Sequence, residues 1–249
     1  MAYDPREAAV ILAAENRARD HHEQYDPSHD FWHVDRVRRL SLSIAHHSTS
    51  SAPLHRIDLL VVELAALFHD LIDAKYLPKG SEATDAEGTL EPFWREHGAV
   101  VAEDRRRLVE QIVDNVSFSK EVKRIKAGGQ TEWHLSCPEL HCVQDADKLD
   151  AIGAFGIMRC AAYSAIANRP LFIPPTPPTT DASATASSEA SPAGSSALDH
   201  FDDKLFKLEG MMKTERGKEL ARRRTETMRQ FVDDAKREWQ EAVGADVLV

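Results

Sequence analysis

The sequence predicts an all-α protein that folds as a single domain of 249 residues. Apolar residues recur three and four positions apart along most of the chain, which is typical of helices that bury one face. No segment shows the strict apolar–polar alternation of a half-buried strand, and no internal repeat stands out. With 42% hydrophobic and 29% charged residues, a chain of this length can bury a sizeable core.

Helical periodicity is interrupted by turn signals at several points. Asp30 is a suitable N-cap for a helix that begins near Phe31. A strongly apolar stretch later reaches the adjacent pair His69-Asp70, and Pro78 and Gly80 break the pattern after it. The predicted helices cover residues 8–19, 31–45, 57–68, 90–97, 101–116 and 139–167, followed by further helices between 198 and 239.

Residues 174–197 differ from the rest of the chain in composition. Pro-Pro-Thr-Pro-Pro is followed by Ser, Ala and Thr with almost no large apolar side chain. Such a segment cannot bury enough surface to offset the entropy cost of ordering. We predict a flexible low-complexity loop inside the single domain 1–249, with a docking or phosphorylation segment as the alternative interpretation.

The composition argues against several classes of function. A formal net charge of −10 disfavours binding to a nucleic-acid backbone, which needs a basic surface. Three cysteines without CxxC spacing indicate neither a disulfide scaffold nor a zinc knuckle. The first residues lack the apolar core of a signal peptide, and no apolar run approaches the ~20 residues that cross a bilayer. We therefore expect a cytoplasmic protein, with nuclear access left open, that binds neither nucleic acid nor membrane.

Four residues of metal-ligating type, His33, the pair His69-Asp70 and Asp147, lie in stretches with the pattern of buried helices. Ionisable side chains are costly to bury unless they are paired or bind a metal. Two imidazoles and two carboxylates without sulfur favour one divalent ion, Mn²⁺, Fe²⁺, Mg²⁺, Co²⁺ or Zn²⁺, over copper. The alternative is an ordinary polar patch in which each side chain is simply hydrogen-bonded.

The phrases around these residues resemble the successive motifs of the HD-domain superfamily of metal-dependent phosphohydrolases. They are His-Val-Asp-Arg-Val at 33–37, Leu-Phe-His-Asp at 67–70 and Asp-Ala-Asp-Lys-Leu-Asp-Ala at 145–151. Wider phrases are similar to the YedJ-like branch of that superfamily, at 28–33, 115–119, 144–154 and 205–217. The resemblance covers nearly the whole chain except the low-complexity segment, and it implies an HD-domain helical bundle that holds one divalent metal ion.

The resemblance also implies which residues bind this ion: His33, His69, Asp70 and Asp147. Asp147 is preferred over its neighbours because in other HD proteins the ligand Asp follows Ala and stands two residues before Leu. Asp145 and Asp150 are then expected to accept hydrogen bonds that orient the ligands.

Further candidates surround the ligands. Asp73 resembles an acidic proton-transfer group of HD phosphohydrolases, and the alternative is a solvent-facing acid at a helix end. Arg36 and Lys75 lie within about a turn of a ligand and are candidates for anchoring substrate phosphate, although solvated charges would look the same. His29 either faces the same cleft or fixes the preceding turn.

The expected substrate is a small phosphorylated metabolite or nucleotide. The metal would lower the pKa of bound water and polarise a phosphoryl oxygen. Two alternatives stay open: hydrolysis or hydration of a non-phosphate substrate by the same ligand set, and a non-catalytic module that binds metal or nucleotide. A homodimer is compatible with the sequence. The histidine pairs at 21–22 and 46–47 complete no second ligand set and are expected to be solvated.

Overall fold

The computed structural model describes residues 3–51, 57–72, 85–174 and 196–244, and all regular structure in these ranges is helical. The all-α prediction is therefore confirmed. Two short 3-10 helices, Gly98–Val100 and Leu205–Met211, join a set of α-helices. These are α1 (Pro5–His22), α2 (Phe31–Ser51), α3 (Leu59–Phe68), α4 (Ala86–His97), α5 (Glu103–Val116), α6 (Phe118–Lys126), α7 (Glu132–Ser136), α8 (Pro138–Asp150), α9 (Gly153–Ile166), α10 (Asp199–Asp203) and α11 (Glu215–Val243).

Helix α3 lies at the centre of the bundle. Every residue from Leu60 to Phe68 is buried, as expected for a helix that is apolar on all sides except at Glu63, which Arg38 pairs. It packs against α1, α2, α5 and α8. The helix begins at Leu59 because the Asp58 carboxylate accepts hydrogen bonds from the backbone N–H groups of Leu60 and Val61. The segment that precedes the His69-Asp70 pair is thus fixed in the core.

Helix α2 crosses both α3 and α8 and brings the three motifs together. It begins at Phe31, as predicted, and the Asp30 carboxylate accepts a hydrogen bond from the backbone N–H of His33 at 3.1 Å. His33 is 1% exposed. Because α2 packs against both other helices, His33 near its start faces the end of α3 and the C-terminal end of α8.

The prediction of a single helix over residues 139–167 is wrong. The chain forms α8 and α9, which are bent by 66° relative to each other. Ile152 is extended, and Gly153 has a φ of +76°, a conformation that interrupts an α-helix and that only glycine adopts freely. The apolar positions continue through the break, so periodicity gave no sign of it. The bend lets α9 pack against α11.

The ends of the predicted low-complexity loop meet in the structure. The backbone N–H of Ala197 donates to the carbonyl of Pro170 at 2.8 Å, and that of Leu198 donates to Leu171 at 3.1 Å. Residues 175–195 lie outside the described residues, so the flexible loop stays a prediction. Within the described ranges, no single helix has the length and apolar composition to span a membrane, and the α8–α9 pair reaches that threshold only as two bent helices.

Candidate metal centre

The four predicted ligands come together from three helical segments. His33 Nε2 lies 3.2 Å from His69 Nε2, 3.4 Å from Asp70 Oδ2 and 3.7 Å from Asp147 Oδ1. His69 Nε2 lies 3.3 Å from Asp70 Oδ2 and 3.9 Å from Asp147 Oδ1. Two imidazole nitrogens and two carboxylate oxygens therefore face one small volume at the centre of the bundle.

Both histidines present the same ring nitrogen to this volume. His33 Nδ1 lies 2.7 Å from Asp150 Oδ2, and His69 Nδ1 lies 2.8 Å from the carbonyl oxygen of Ala66. Because each of these oxygens is an acceptor, each Nδ1 carries a proton, and Nε2 is the nitrogen that can offer a lone pair to a metal once any proton on it is displaced. An imidazole held in this way is prepared to bind a metal.

The separations between donor atoms fit a shared divalent ion. Two ligand atoms bound to one ion at ~2.1 Å can lie at most ~4.2 Å apart. Every separation between these donor atoms given above is shorter than this, and one ligand atom from each of His33, His69 and Asp147 lies within 4.8 Å of the other two. The side chains of Asp70 and Asp147 are 16% and 25% exposed, so the site is reached from solvent on the carboxylate side.

The electrostatics of the cluster also favour a cation. Burial lowers the pKa of His69, yet the carboxylates of Asp70 and Asp147 raise it to about 9. Burial raises the pKa of Asp70, yet His69 and His33 hold it well below its ordinary value. The ligand set therefore attracts a positive charge, and a divalent cation meets this demand by displacing the proton.

Asp150 orients His33, as the sequence predicted, and it is held by two arginines. Its carboxylate accepts hydrogen bonds from Arg36 Nε at 2.7 Å, Arg36 Nη2 at 2.9 Å and Arg159 Nη1 at 3.2 Å. Burial raises the pKa of Asp150, but the hydrogen bonds from His33 and Arg36 hold it well below its ordinary value. The Arg36 guanidinium also lies 4.5 Å from the ring centroid of Phe155. Two N–H donors of Arg36 are thus already bound to Asp150.

The expected orienting role of Asp145 is wrong. This buried carboxylate accepts hydrogen bonds from the backbone N–H groups of Lys213 and Thr214 and from the Thr214 hydroxyl, so it fixes the start of α11. Asp145 and Asp147 stand two positions apart on α8, so their side chains point to different sides of the helix. Lys148 is also inward, 2% exposed, with Nζ 2.7 Å from Glu121 Oε2.

His29 borders the centre, whereas two other candidates cannot be placed. His29 is half-buried; its Nδ1 lies 2.6 Å from the Ser28 hydroxyl, and its ring centroid lies 6.2 Å from that of His33. Burial and the neighbouring Arg159 lower the pKa of His29 to about 4. Asp73 and Lys75 lie outside the described residues, so their roles stay predictions.

Sequence reasoning missed two residues near the site. His22, expected to be solvated, is 3% exposed, and its Nδ1 bonds the carbonyl oxygen of Ala18 at 2.8 Å. Burial lowers its pKa to about 4, while the charge of Asp70 acts in the opposite direction. Arg159 was not singled out either, although an arginine within the otherwise apolar α9 was a usable signal. His46 and His47 are exposed, as predicted.

Comparison with known proteins agrees with this site. The HD domain family model matches residues 31–152, which contain all four predicted ligands. YpgQ of Bacillus subtilis is 32% identical over 204 residues, covering 82% of this chain and 81% of YpgQ.

Solved structures share the whole fold. A crystal structure from Lactobacillus plantarum has a TM-score of 0.69 and 29% identity, covering 97% of this chain and 100% of that one. The crystal structure of Bacillus subtilis YpgQ in complex with ADP has a TM-score of 0.64 and 25% identity, over 94% and 98% of the two chains. An HD-superfamily hydrolase from Bacillus thuringiensis has a TM-score of 0.65 and 26% identity over the same shares. With its motifs placed as described, the chain belongs to the HD-domain superfamily.

Proposed function

We propose that this protein is a metal-dependent hydrolase that cleaves a phosphate ester or anhydride of a small metabolite, specifically of a nucleotide. The observation that carries the proposal is the convergence of two histidine Nε2 atoms and two aspartates on one volume. The similarity to an HD-superfamily hydrolase supports hydrolysis as the reaction class. The ADP complex of YpgQ supports a phosphorylated substrate and a nucleotide in particular.

The residues around the centre have different roles in the proposed reaction. His33, His69, Asp70 and Asp147 would hold a divalent ion, which when bound would lower the pKa of water and polarise a phosphoryl oxygen. His33 and His69 are kept in the tautomer that offers Nε2, because Asp150 and the Ala66 carbonyl accept from their Nδ1 atoms. The half-exposed carboxylate side of the centre, where Asp147 is 25% exposed, is where substrate enters.

The remaining candidates have different proposed roles. Two donors of Arg36 are bound to Asp150, so we assign this residue to positioning and give the anchoring of phosphate to Lys75. Asp73 is the proposed proton-transfer group, which would protonate the leaving oxygen. Both lie outside the described residues, and the substitutions Asp73→Asn and Lys75→Met test them by loss of turnover and by a raised KM respectively.

A metal-supplemented screen of phosphorylated metabolites tests the function. Wild-type protein is compared with Asp70→Ala and with Asp35→Ala. The Asp35 carboxylate pairs with the exposed Arg39 and, two positions after His33 on α2, points to a different side of the helix. We expect release of inorganic phosphate or pyrophosphate from nucleotides by wild type and Asp35→Ala, and none by Asp70→Ala. Activity that survives Asp70→Ala would contradict the proposed site, and turnover restricted to non-phosphate esters or amides would contradict the substrate class.

A further inference from the structure

The outer face of α9 is apolar and carries no charge. Arg159 is the only charged residue of this helix, and its guanidinium points inward, where it donates to Asp150 and to the carbonyl oxygen of Ser28. The exposed positions of α9 are therefore all uncharged, in a chain of which 29% is charged. Six of them share the side of the helix opposite the buried residues Gly153 and Ser164. They are Ala154, Phe155, Met158, Ala161, Ala165 and Ile166.

The large side chains on this side form one stripe that continues onto α2. Phe155, Met158 and Ile166 are 47%, 57% and 56% exposed, and their spacing places them along one side of α9. The Arg36 guanidinium lies 4.5 Å from the ring centroid of Phe155. Trp32, one turn before Arg36 on the same side of α2, is 59% exposed. We call the six positions on α9 together with Trp32 the α9 surface.

The area of the α9 surface is large enough for a protein partner. At ~200 Å² for each large side chain, the exposed parts of its four large residues and its alanines amount to on the order of 600 Å². This is at the upper end for apolar patches on monomeric proteins, which is about 300–600 Å². Two such surfaces in contact would bury ~1,200 Å², the lower limit of interfaces of standard size. A single exposed apolar residue such as Leu12, at 59%, needs no such explanation.

Charge and composition favour a second copy of this chain as the partner. Two molecules with a formal net charge of −10 repel each other, and a face without charged side chains lets them approach with the least repulsion. A two-fold contact uses the same face on both copies, so an uncharged face suits it. The nearby segment 175–195 contains no leucine, isoleucine, valine, methionine or aromatic residue, so its composition does not provide an apolar partner.

We propose that the α9 surface binds a second copy of this chain, so that the protein forms a two-fold symmetric homodimer. Phe155 and Ile166 lie near opposite ends of α9, and the midpoint between them is next to Ala161. An antiparallel pair of α9 helices with the two-fold axis at this point places Phe155 of one copy beside Ile166 of the other. The small Ala161 side chains then allow the helix axes to approach to ~8 Å. The limited area indicates a weak dimer with a dissociation constant roughly in the micromolar range.

The homodimer also has a consequence for the metal centre. The Phe155 ring covers the Arg36 guanidinium, whose Nε and Nη2 donate to Asp150, and Asp150 in turn lies 2.7 Å from Nδ1 of His33. A second copy that packs on Phe155 removes water from the outer side of this ring. The residues that support His33 are thus expected to be better shielded from solvent in the dimer.

Sedimentation equilibrium of the full chain with saturating Mn²⁺ tests the proposal. We expect the average mass of wild type to rise with concentration from 27.8 kDa towards twice this value. Ala161→Glu and Ala161→Lys each place two like charges at the two-fold axis, and each should raise the dissociation constant at least about tenfold. Ala9→Glu is the matched control, because it adds the same charge at an exposed alanine of α1, and it should associate like wild type.

Mixing the two charged variants separates a contact between copies from a general effect on folding. An equimolar mixture of Ala161→Glu and Ala161→Lys should associate more tightly than either variant alone, because opposite charges then meet at the axis. A wild-type mass of 27.8 kDa at every concentration would overturn the homodimer, and so would wild-type association of Ala161→Glu or a mixture no tighter than its components.

The other possible occupant of the α9 surface is a membrane. If wild type stays monomeric but sediments with neutral phospholipid vesicles, and Ala161→Glu does not, the surface binds lipid and the homodimer is overturned. These measurements do not use turnover. A failure of the homodimer therefore leaves the proposed function untouched, and a protein that hydrolyses no nucleotide can still form the dimer.

Discussion

Replacing Asp150 with asparagine is the sharpest perturbation of the metal centre that leaves every proposed ligand in place. The Asp150 carboxylate is 1% exposed and bonds His33, Arg36 and Arg159 at once. Asparagine keeps the shape but removes the negative charge and turns one acceptor oxygen into a donor NH₂ group. His33 then loses the charged partner that fixes its Nδ1–H tautomer, and Nε2 is no longer held toward the metal.

The expected loss of metal affinity follows from comparable sites. Removal of a partner that orients a ligating histidine typically costs about 10- to 100-fold in metal affinity, or roughly 1.4–2.7 kcal/mol. Asp150→Asn also leaves Arg36 and Arg159 beside a neutral amide, and breaking a buried ion pair destabilises a protein by about 3–5 kcal/mol. Both effects are measurable, the first by Mn²⁺ titration in a calorimeter and the second by urea unfolding of the metal-free protein.

Asp145→Asn is the matched control. Asp145 is a second fully buried aspartate on α8, but it bonds Lys213 and Thr214 and not a proposed ligand. We expect it to lower the free energy of unfolding while leaving Mn²⁺ affinity within about threefold of wild type, since loss of a ligand-orienting group is what reduces affinity. Equal Mn²⁺ affinities for Asp150→Asn and wild type would refute the orienting role, and equal losses in the two variants would mean that affinity only follows stability.

Three further predictions follow from the same structure. Chelation of a divalent metal should lower the Tm of wild type but not of His33→Ala, because an ion that binds only the folded state stabilises it; equal shifts in differential scanning fluorimetry would exclude His33 as a ligand. Gly153→Ala should destabilise by at least ~1 kcal/mol in urea unfolding, because φ is +76° and a Cβ would lie 2.9 Å from the Arg224 side chain, whereas Gly210→Ala, with open space around its Cβ, should be nearly neutral. Glu121→Gln should destabilise most near pH 7. Burial raises the pKa of Glu121, but its neighbours Lys148 and Lys213 bring this pKa below the ordinary value. The charged carboxylate therefore stabilises the fold above the unfolded-state pKa, and this stabilisation is lost as pH falls through the folded-state pKa. The difference in unfolding free energy between wild type and Glu121→Gln should therefore narrow below about pH 4.5, and a constant difference from pH 7 to pH 3 would contradict this.

Local signals were enough to predict much of the fold. The helical class, the N-cap at Asp30 and the buried helix before His69 follow from periodicity, capping chemistry and the length of one apolar run. The break between α8 and α9 did not follow, because it depends on backbone conformation at Gly153 and on space filled by Arg224 from a helix about seventy residues away. The spacing of apolar residues carries no information on the backbone conformation of one residue or on the space that a distant helix fills.

The candidate site, like the fold, could be predicted only in part from the sequence. The identity of the four proposed ligands came from residue type and from phrases that resemble a family, which are properties of the sequence. Which aspartate supports a ligand was decided by the packing of α8: Asp150 faces His33, whereas Asp145, of the same residue type and five positions earlier, faces the start of α11. Arg36 was predicted to meet substrate, yet its charge is bound by Asp150.

By itself, the sequence determined that this chain forms helices, that its histidines and aspartates are of metal-binding type, and which superfamily its motifs resemble. Only the tertiary structure decided that both Nε2 atoms face the two carboxylates, that Asp150 supports His33, and that Arg159 donates to Asp150. The physical reason is that periodicity and motifs report on neighbours along one helix. The direction of a hydrogen bond and the sign of a local field depend on side chains that come from several helices.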